Sequence, residues 1–304
     1  SLDTPASLEE IRRLMEEQAI VEGMAVRCDR SHDLHVSYRG FDGLLPRHQA
    51  VNPAVSGAQR EISVLSRVGR PIQFVITGLT ADGGGKPTLQ VSRSLAQEKV
   101  LHFLKEECPP GTVLRGRVTH LAPFGAFVDV GCGVVALLPT AFLSAVRVRH
   151  PSCRLSVGQK ILAAVRSFDR DTSRLTLTHL ELMGTWLENA ASFAPGETVT
   201  GIARSIREYG IFVELAPNLV GLAEPRAGIE ENDSVTVYIK SILPQQKKIK
   251  LQILQRLEGN APPPPIRYFL TGQVPDDWSY DPPTAPCSSP KGLGGLLGFI
   301  LAVG

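Results

Sequence analysis

Residues 110–178 limit the possible folds of this 304-residue chain more than any other stretch. Short runs rich in Val, Leu, Ile and Phe alternate there with Gly, Pro and Asp turn signals, which predicts four or five short strands within about 70 residues. So many short strands in one small span are typical of a closed barrel, because closure leaves no strand edge exposed. The stretch therefore predicts a small β-barrel.

Two aromatic residues flank a glycine in the second predicted strand of this stretch. Phe124 and Phe127 lie on either side of Gly125. Strand alternation would put the two rings on opposite faces unless a bulge or a bend at Gly125 brings them together. The rings are then either two core residues of the barrel or an exposed platform on which bases could stack.

The pattern of a helical segment followed by a glycine-led barrel occurs three times. Helical segments precede Gly23, Gly111 and Gly196, and these glycines are roughly 85 to 90 residues apart. The first segment, residues 7–20, begins with a Ser-x-x-Glu capping box. We therefore predict a mainly β protein of three five-stranded barrels in tandem, joined by short α-helices. Leu14, Leu104 and Leu187 are expected to dock each helix on its barrel.

The repeat also predicts the boundaries of the domains. They are an N-terminal helix (1–22), a divergent first repeat (23–94), a linker helix (95–110), a second repeat (111–179), a second linker helix (180–195), a third repeat (196–256) and a proline-rich linker with a tail (257–304).

Three segments of the second repeat carry a family resemblance. They read G-x-V-x-x-x-x-x-F-G-A-F-V-D at 116–129, V-G-Q-K at 157–160 and D-x-x-x-x-R-L-T-L-T at 169–178. Together they resemble the S1 domain, an RNA-binding variant of the OB-fold. The resemblance covers residues 23–256 and is to bacterial proteins of the ribosomal protein S1-like family with three S1 repeats. It implies tandem OB-fold barrels that bind single-stranded RNA.

The resemblance implies a set of RNA contacts in the second repeat. Phe124 and Phe127 would stack on bases, and Asp169 and Arg174, near the last turn, would join them. A histidine that the family carries on the next strand is replaced by Pro139. Four of five family contacts are retained, so we predict that the second repeat is the principal RNA site.

The third and first repeats depart further from the family pattern. In the third repeat Tyr209 and Phe212 replace the rings and Lys248 replaces the arginine, which predicts a weaker RNA site. In the first repeat His32 and His35 occupy the aromatic strand, so this barrel is expected to bind RNA least and could bind protein instead. Family likeness implies docking to the ribosome for such N-terminal repeats. The family aspartate and histidine positions of the third repeat hold Leu243 and Glu224, and the histidine position of the first holds Pro46.

Positive charge is concentrated in the second repeat. The whole chain has a net charge of only +2, but residues 111–179 contain nine Lys or Arg against three Asp or Glu. Such a balance favours a polyanionic partner, although any single cation could equally belong to a solvated surface. The candidate phosphate contacts are Arg115, Arg117, Arg147, Arg149, Arg154, Lys160, Arg166 and Arg170, with a smaller basic edge of Lys247, Lys248 and Lys250 on the third repeat.

The sequence contains no pattern that predicts an active site. Phosphate-binding, zinc-protease and serine-hydrolase motifs are missing, and the glycine-rich run 82–86 is placed at a hairpin turn. Asp169 and Asp171 are most simply turn formers. His120, His150 and His179 have no metal-like spacing. We therefore expect a protein that is not an enzyme and has no cofactor or metal.

The cysteines and the two ends of the chain bear on its location. Five dispersed cysteines without a C-x-x-C pair predict neither disulfides nor a zinc site, which favours a reducing cytoplasm. The acidic N-terminal segment does not resemble a signal peptide. Residues 260–265 predict a stiff linker, and the aromatic residues of 268–280 could fold back on the third barrel. The apolar run 292–304 is too short to span a bilayer.

We thus expect a cytoplasmic, monomeric protein without membrane association that binds single-stranded RNA, in particular mRNA, at the small ribosomal subunit in translation. The alternative is a protein-docking or scaffold module on a ribosome, nuclease or polymerase with only incidental RNA contact. The departures at His32 and His35 favour that alternative.

Overall fold

A computed structural model describes residues 5–55, 66–81, 85–258 and 265–280. These residues form three closed five-stranded barrels, as the sequence predicts. Barrel 1 contains β1 (Ile20–Cys28), β2 (Leu34–Tyr38), β3 (Phe41–Leu45), β4 (Pro71–Ala81) and β5 (Pro87–Ser92). Barrel 2 contains β6 (Val113–Ala122), β7 (Gly125–Asp129), β8 (Val135–Pro139), β9 (Lys160–Asp169) and β10 (Arg174–Thr178). Barrel 3 contains β11 (Thr198–Arg207), β12 (Gly210–Ala216), β13 (Leu219–Ala223), β14 (Ser234–Leu243) and β15 (Lys248–Arg256).

The three barrels share one strand order, in which the first strand pairs with the second and fourth, and the fifth with the third. The third and fifth strands run parallel in each barrel. Apolar residues alternate inward along the strands and fill each barrel, as Ala203, Val213 and Val237 do in barrel 3. Closed five-stranded barrels of this kind are the OB-fold architecture.

The first and third helices are shorter than the sequence pattern predicts, and the second begins two residues earlier. Helix α1 spans Leu8–Glu16, α2 spans Arg93–Glu106 and α3 spans only Trp186–Ala190. The predicted third helix is interrupted because Gly184, at a φ of 78°, ends a preceding 3₁₀ turn and a capping box at Thr185 starts α3 anew.

The three leucines predicted to dock the helices on the barrels differ in their burial. Leu104 is buried and Leu14 packs against the barrel 1 core. The prediction for Leu187 was wrong, since this side chain is 42% exposed. The neighbouring Trp186 is buried in its place, because the restart of the helix at Thr185 turns the indole rather than the leucine toward barrel 3.

The chain divides into two compact units. The first consists of Ser1–Pro109, Asp129–Ala136 and Phe168–Leu175, and the second of Pro110–Val128, Leu137–Ser167 and Thr176–Gly304. The turn of residues 82–84, the proline linker and the apolar run near the C-terminus, for which the sequence made predictions, lie outside the described residues, as does Cys287.

Candidate nucleic-acid interface

An aromatic pair lies at the surface of barrel 2. Phe124 is 62% exposed and Phe127 is half-buried, and their rings meet edge to face with centroids 5.9 Å apart. Phe124 belongs to the turn between β6 and β7, whereas Phe127 lies on β7. The turn therefore brings together two rings that strict strand alternation would separate. The two phenylalanines form the surface that we call the ring pair.

Gly125, between the two rings, allows the backbone of the neighbouring strand to approach closely. A side chain at this position would meet the backbone oxygen of Leu138 at 2.6 Å, which is closer than any Cβ atom tolerates. The corresponding Gly210 of barrel 3 has the same constraint, with the oxygen of Ala223 at 2.6 Å. The glycine between the two rings is thus required for close approach of the neighbouring strand, rather than for a bulge within β7.

A third ring, which the sequence pattern does not predict for this site, extends the ring pair. The exposed imidazole of His120 lies 5.8 Å from the Phe127 ring, tilted by 37°. His120 comes from the end of β6, four residues before Phe124, where both Thr119 and His120 are exposed. Two successive exposed residues in a strand mark a local irregularity, and sequence periodicity gives no signal for such a feature.

Barrel 3 presents a related surface. Tyr209 is 55% exposed and Phe212 is half-buried, with ring centroids 6.1 Å apart and nearly perpendicular planes. In the strand register Leu222 lies opposite Phe212, and Lys250 lies beside Leu222. Lys248 is also exposed, at the start of β15.

An acidic group stands in barrel 3 where the family has a histidine. Glu224 pairs with Lys240 at 2.7 Å. The hydrogen bond and charge of Lys240 lower the pKa of Glu224, so this carboxylate stays ionised. At this position barrel 3 therefore carries a negative charge with a positive one beside it.

Barrel 1 has no exposed aromatic pair in its described part. Its Tyr38 is buried against Phe74, and His35 Nε2 lies 3.0 Å from Asp29 Oδ2. His32 takes a left-handed conformation in the turn before β2. The substitution of histidine for both rings therefore removes the stacking surface from this barrel.

Several predicted cations are available on barrel 2. Arg115 and Arg117 point outward from β6, and Lys160 lies directly across from Arg117 on β9. Two like charges in register destabilise a sheet unless an anion lies between them. Among the described residues no carboxylate pairs with these three side chains or with Arg166. They form a positive surface along the strand whose far end carries His120.

Other predicted cations are engaged elsewhere. Exposed Arg149 pairs with Glu231 at 2.6 Å. The prediction that Arg154 belongs to a phosphate track was wrong, because its side chain is 1% exposed. Arg154 Nη1 lies 2.5 Å from Glu214 Oε1, and Arg204 Nε donates a hydrogen bond to Glu214 Oε2. Burial lowers the pKa of Arg154 and the charge of Glu214 opposes that effect. The group of Arg154, Glu214 and Arg204 is called the buried triad below.

Asp169 and Arg174 occupy the two ends of the β9–β10 turn. Asp169 Oδ1 accepts hydrogen bonds from the backbone N–H groups of Asp171 and Thr172, and Oδ2 accepts one from the Thr172 hydroxyl. These bonds, led by that of Thr172, lower the pKa of Asp169. The carboxylate therefore shapes the turn, and the exposed Arg174 is the member of this pair that is open to a ligand.

The described tail packs within the second unit on two barrels, rather than on the third alone. Tyr268, Leu270 and Trp278 pack with Val113 and Leu162 of barrel 2. Tyr280 joins the core cluster of barrel 3 and donates a hydrogen bond to the Asn218 carbonyl at 2.6 Å.

The tail also covers a buried histidine. The hydroxyl of Tyr268 accepts the Leu162 N–H at 3.1 Å and lies 3.0 Å from His179 Nε2. Burial, assisted by the charge of Arg154, lowers the pKa of His179 to about 4, although a hydrogen bond to the Leu143 backbone opposes this. The imidazole is consequently neutral at pH 7.

We expect the second unit to lose stability as the pH falls from about 6.5 toward 4, since unfolded His179 binds a proton that the folded form does not. The slope from this residue is about 1.4 kcal/mol per pH unit. Urea unfolding followed by the fluorescence of Trp186 and Trp278 would measure it. In His179→Gln the number of protons bound on unfolding should fall by one, so stability should depend less steeply on pH. An unaltered dependence of stability on pH would contradict this account.

Among the described residues no three His, Cys, Asp or Glu side chains are grouped to hold a metal ion. No described helix is long and apolar enough to cross a membrane.

Comparison with known proteins places barrel 2 in a family. Residues 107–180 match the family model of the S1 RNA binding domain. The small ribosomal subunit protein bS1 of Staphylococcus aureus is 30% identical over 208 residues, which are 63% of this chain and 52% of that protein. The bS1 homolog of Bacillus cereus is 31% identical over 187 residues, 58% of this chain and 48% of that protein. The chain thus spans about half the length of the curated relatives it matches.

A solved structure of a multidomain protein with nucleic acid binding domains from Streptococcus pneumoniae also matches, at 14% identity. The match covers 79% of this chain and 74% of the chain of that protein. Its TM-score of 0.26 is too low to support an argument about the structure of this chain. The family match of barrel 2 and the similarity to bS1 agree with the motifs of residues 116–178. Residues 107–180 thus match the S1 RNA binding domain, and the chain is similar to bacterial ribosomal protein bS1.

Proposed function

We propose that this protein binds single-stranded RNA, without catalysing a reaction, and that barrel 2 is its principal site. The observation that carries the proposal is the ring pair, because Phe124 exposes 62% of its surface instead of packing in the core. An exposed phenylalanine that contacts a second ring offers a base a flat apolar partner, and such stacking tolerates any base. Arg115, Arg117 and Lys160 supply positive charge for the RNA backbone.

Similarity to bS1 supports a role in translation. We propose that the RNA is mRNA, that the protein acts in the cytoplasm as a monomer, and that it holds mRNA at the small ribosomal subunit. Tyr209 and Phe212 add a second, weaker site on the same chain. Two linked weak sites give avidity, since release from one leaves the RNA at high effective concentration near the other.

Salt dependence tests the proposed electrostatic contribution. If Arg115, Arg117, Lys160 and Arg166 each contact a phosphate, the logarithm of the binding constant should fall with the logarithm of salt concentration with a slope of about −3. Fluorescence anisotropy with a labelled single-stranded RNA across a salt series would measure the slope. Arg117→Gln should reduce its magnitude by about 0.7. Binding that is insensitive to salt would contradict the proposal.

Barrel 1 supports the second candidate, a protein-docking role. It lacks the ring pair in its described part, while β1 exposes Met24 and Val26, at 45% and 56%, on one face of the strand. Apolar side chains in this position suit a protein partner better than RNA. Co-sedimentation with ribosomes that persists after Phe124→Ala and Phe127→Ala, but not after Val26→Glu, would favour docking through barrel 1.

A further inference from the structure

The ring pair alone is smaller than the binding site of an OB-fold. Two rings accommodate about two bases, whereas OB-fold sites cover about four or more nucleotides. A strand bound at Phe124 and Phe127 must therefore continue over another part of the barrel.

A stacked pair of side chains stands next to the ring pair. The guanidinium carbon of Arg166 lies 3.8 Å from the centroid of the Phe142 ring. Arg166 is exposed, Phe142 is half-buried, and no described carboxylate pairs with Arg166. A guanidinium at this distance lies over the ring and leaves its outer surface open.

Backbone hydrogen bonds connect this stack to the ring pair. The N–H of Thr140 donates to the Phe124 carbonyl at 2.9 Å, and the Thr140 hydroxyl donates to the Pro123 carbonyl at 2.9 Å. Phe142 is only two residues from Thr140, a distance that the chain spans in about 7 Å at most. The Phe142 carbonyl is in turn held by the N–H groups of His179 and Leu180. The stack is therefore anchored beside Phe124 on a fixed turn.

We propose that Phe142 and Arg166 form an additional nucleotide subsite, in which a base stacks on the guanidinium plane of Arg166 and Phe142 holds that plane in place. This inference rests on the proposed function of the ring pair. Bases stack on arginine planes as they do on aromatic rings, and the guanidinium edge can donate to a neighbouring phosphate at the same time. Arg166 is thus a stacking residue rather than only a phosphate contact.

The substitution Arg166→Lys separates these two roles because lysine keeps the charge but has no plane. We expect Arg166→Lys and Phe142→Leu to weaken binding of oligouridylates of about six and twelve nucleotides by about fivefold or more. The salt slope should stay that of the wild type in Arg166→Lys, since the number of charges is unchanged. An oligouridylate of about two nucleotides, which the ring pair can hold by itself, should bind all of these proteins equally.

Arg267→Lys is the matched control, because Arg267 is also an exposed arginine over a phenylalanine, 4.8 Å from the Phe269 ring centroid, but belongs to the tail and not to the proposed site. It should bind RNA of every length as the wild type does. Fluorescence of Trp186 and Trp278, both in the second unit, verifies that each variant is folded.

The outcomes distinguish the subsite from the proposed function. Wild-type affinity of Arg166→Lys for the longer RNAs, while removal of the ring pair still weakens binding, would overturn the subsite and leave the proposed function standing. Failure of the wild-type protein to bind any of the RNAs would overturn both. A length-dependent loss in Arg166→Lys, absent from Arg267→Lys, would establish the subsite.

Discussion

The double substitution Phe124→Ala and Phe127→Ala is expected to weaken binding of single-stranded RNA by about 2 to 6 kcal/mol, because each stacked base contributes roughly 1 to 3 kcal/mol. Phe124 is largely exposed and Phe127 half-buried, so their removal takes contact surface from the ligand rather than from the barrel core. Isothermal titration with a short single-stranded RNA at fixed salt would measure the loss. The cations of β6 and β9 remain, so the salt slope should change little.

The corresponding pair in barrel 3 is the matched control for this experiment. Tyr209 and Phe212 have nearly the same ring geometry, with centroids 6.1 Å apart, but residues 196–256 have a net charge of only +1, whereas residues 111–179 have +6. Tyr209→Ala with Phe212→Ala should therefore cost less affinity than the barrel 2 change. A larger loss from barrel 3 would move the principal site there, and no loss from either pair would refute stacking.

The second large effect is expected from Glu214, the carboxylate of the buried triad. Glu214→Ala should destabilise the second unit by about 3 to 5 kcal/mol, because it leaves the charge of Arg154 buried without compensation. Glu214 is 0% exposed, and the side chains of Arg154 and Arg204 are 1% and 10% exposed. Water therefore cannot replace the lost partner. Urea unfolding followed by tryptophan fluorescence would measure the change.

Glu231→Ala provides the control for Glu214→Ala. It also removes a glutamate that pairs with an arginine, but Arg149 and Glu231 are 85% and 37% exposed. Exposed ion pairs contribute about 0 to 1 kcal/mol, so this variant should be nearly as stable as the wild type. Equal stability losses in the two variants would show that burial does not determine how much stability is lost when the glutamate of an ion pair is removed.

The triad has a consequence for binding as well as for stability, because it joins residues of barrels 2 and 3. Asn218 strengthens the same junction, since its side chain accepts the Ala145 N–H at 2.8 Å and donates to the carbonyls of Leu180 and Gly184. Both the side-chain oxygen and the side-chain nitrogen of buried Asn218 thus have hydrogen-bond partners at the junction. A Glu214 variant that remains folded is therefore expected to lose avidity for RNA long enough to contact both ring pairs.

The fold was predictable from the sequence because its signals are local and repeated. Turn residues between short apolar runs indicate strands, and the recurrence at Gly23, Gly111 and Gly196 indicates three copies of one barrel. The ring pair could be predicted from the sequence for the same reason, since Phe124 and Phe127 are close neighbours in the chain.

Only the tertiary structure decided which residues lie together across the barrels. Arg154 is one of many arginines in the sequence, and its burial depends on Glu214, which is far away in the chain. The stack of Arg166 on Phe142 and the contact of His120 with Phe127 are likewise absent from any periodic pattern. The sequence by itself determined three barrels and the position of one aromatic pair, because hydrophobic periodicity and turn chemistry act over a few residues. Partners, burial and charge compensation were decided by long-range packing, because these properties depend on residues that meet only when the barrels have formed.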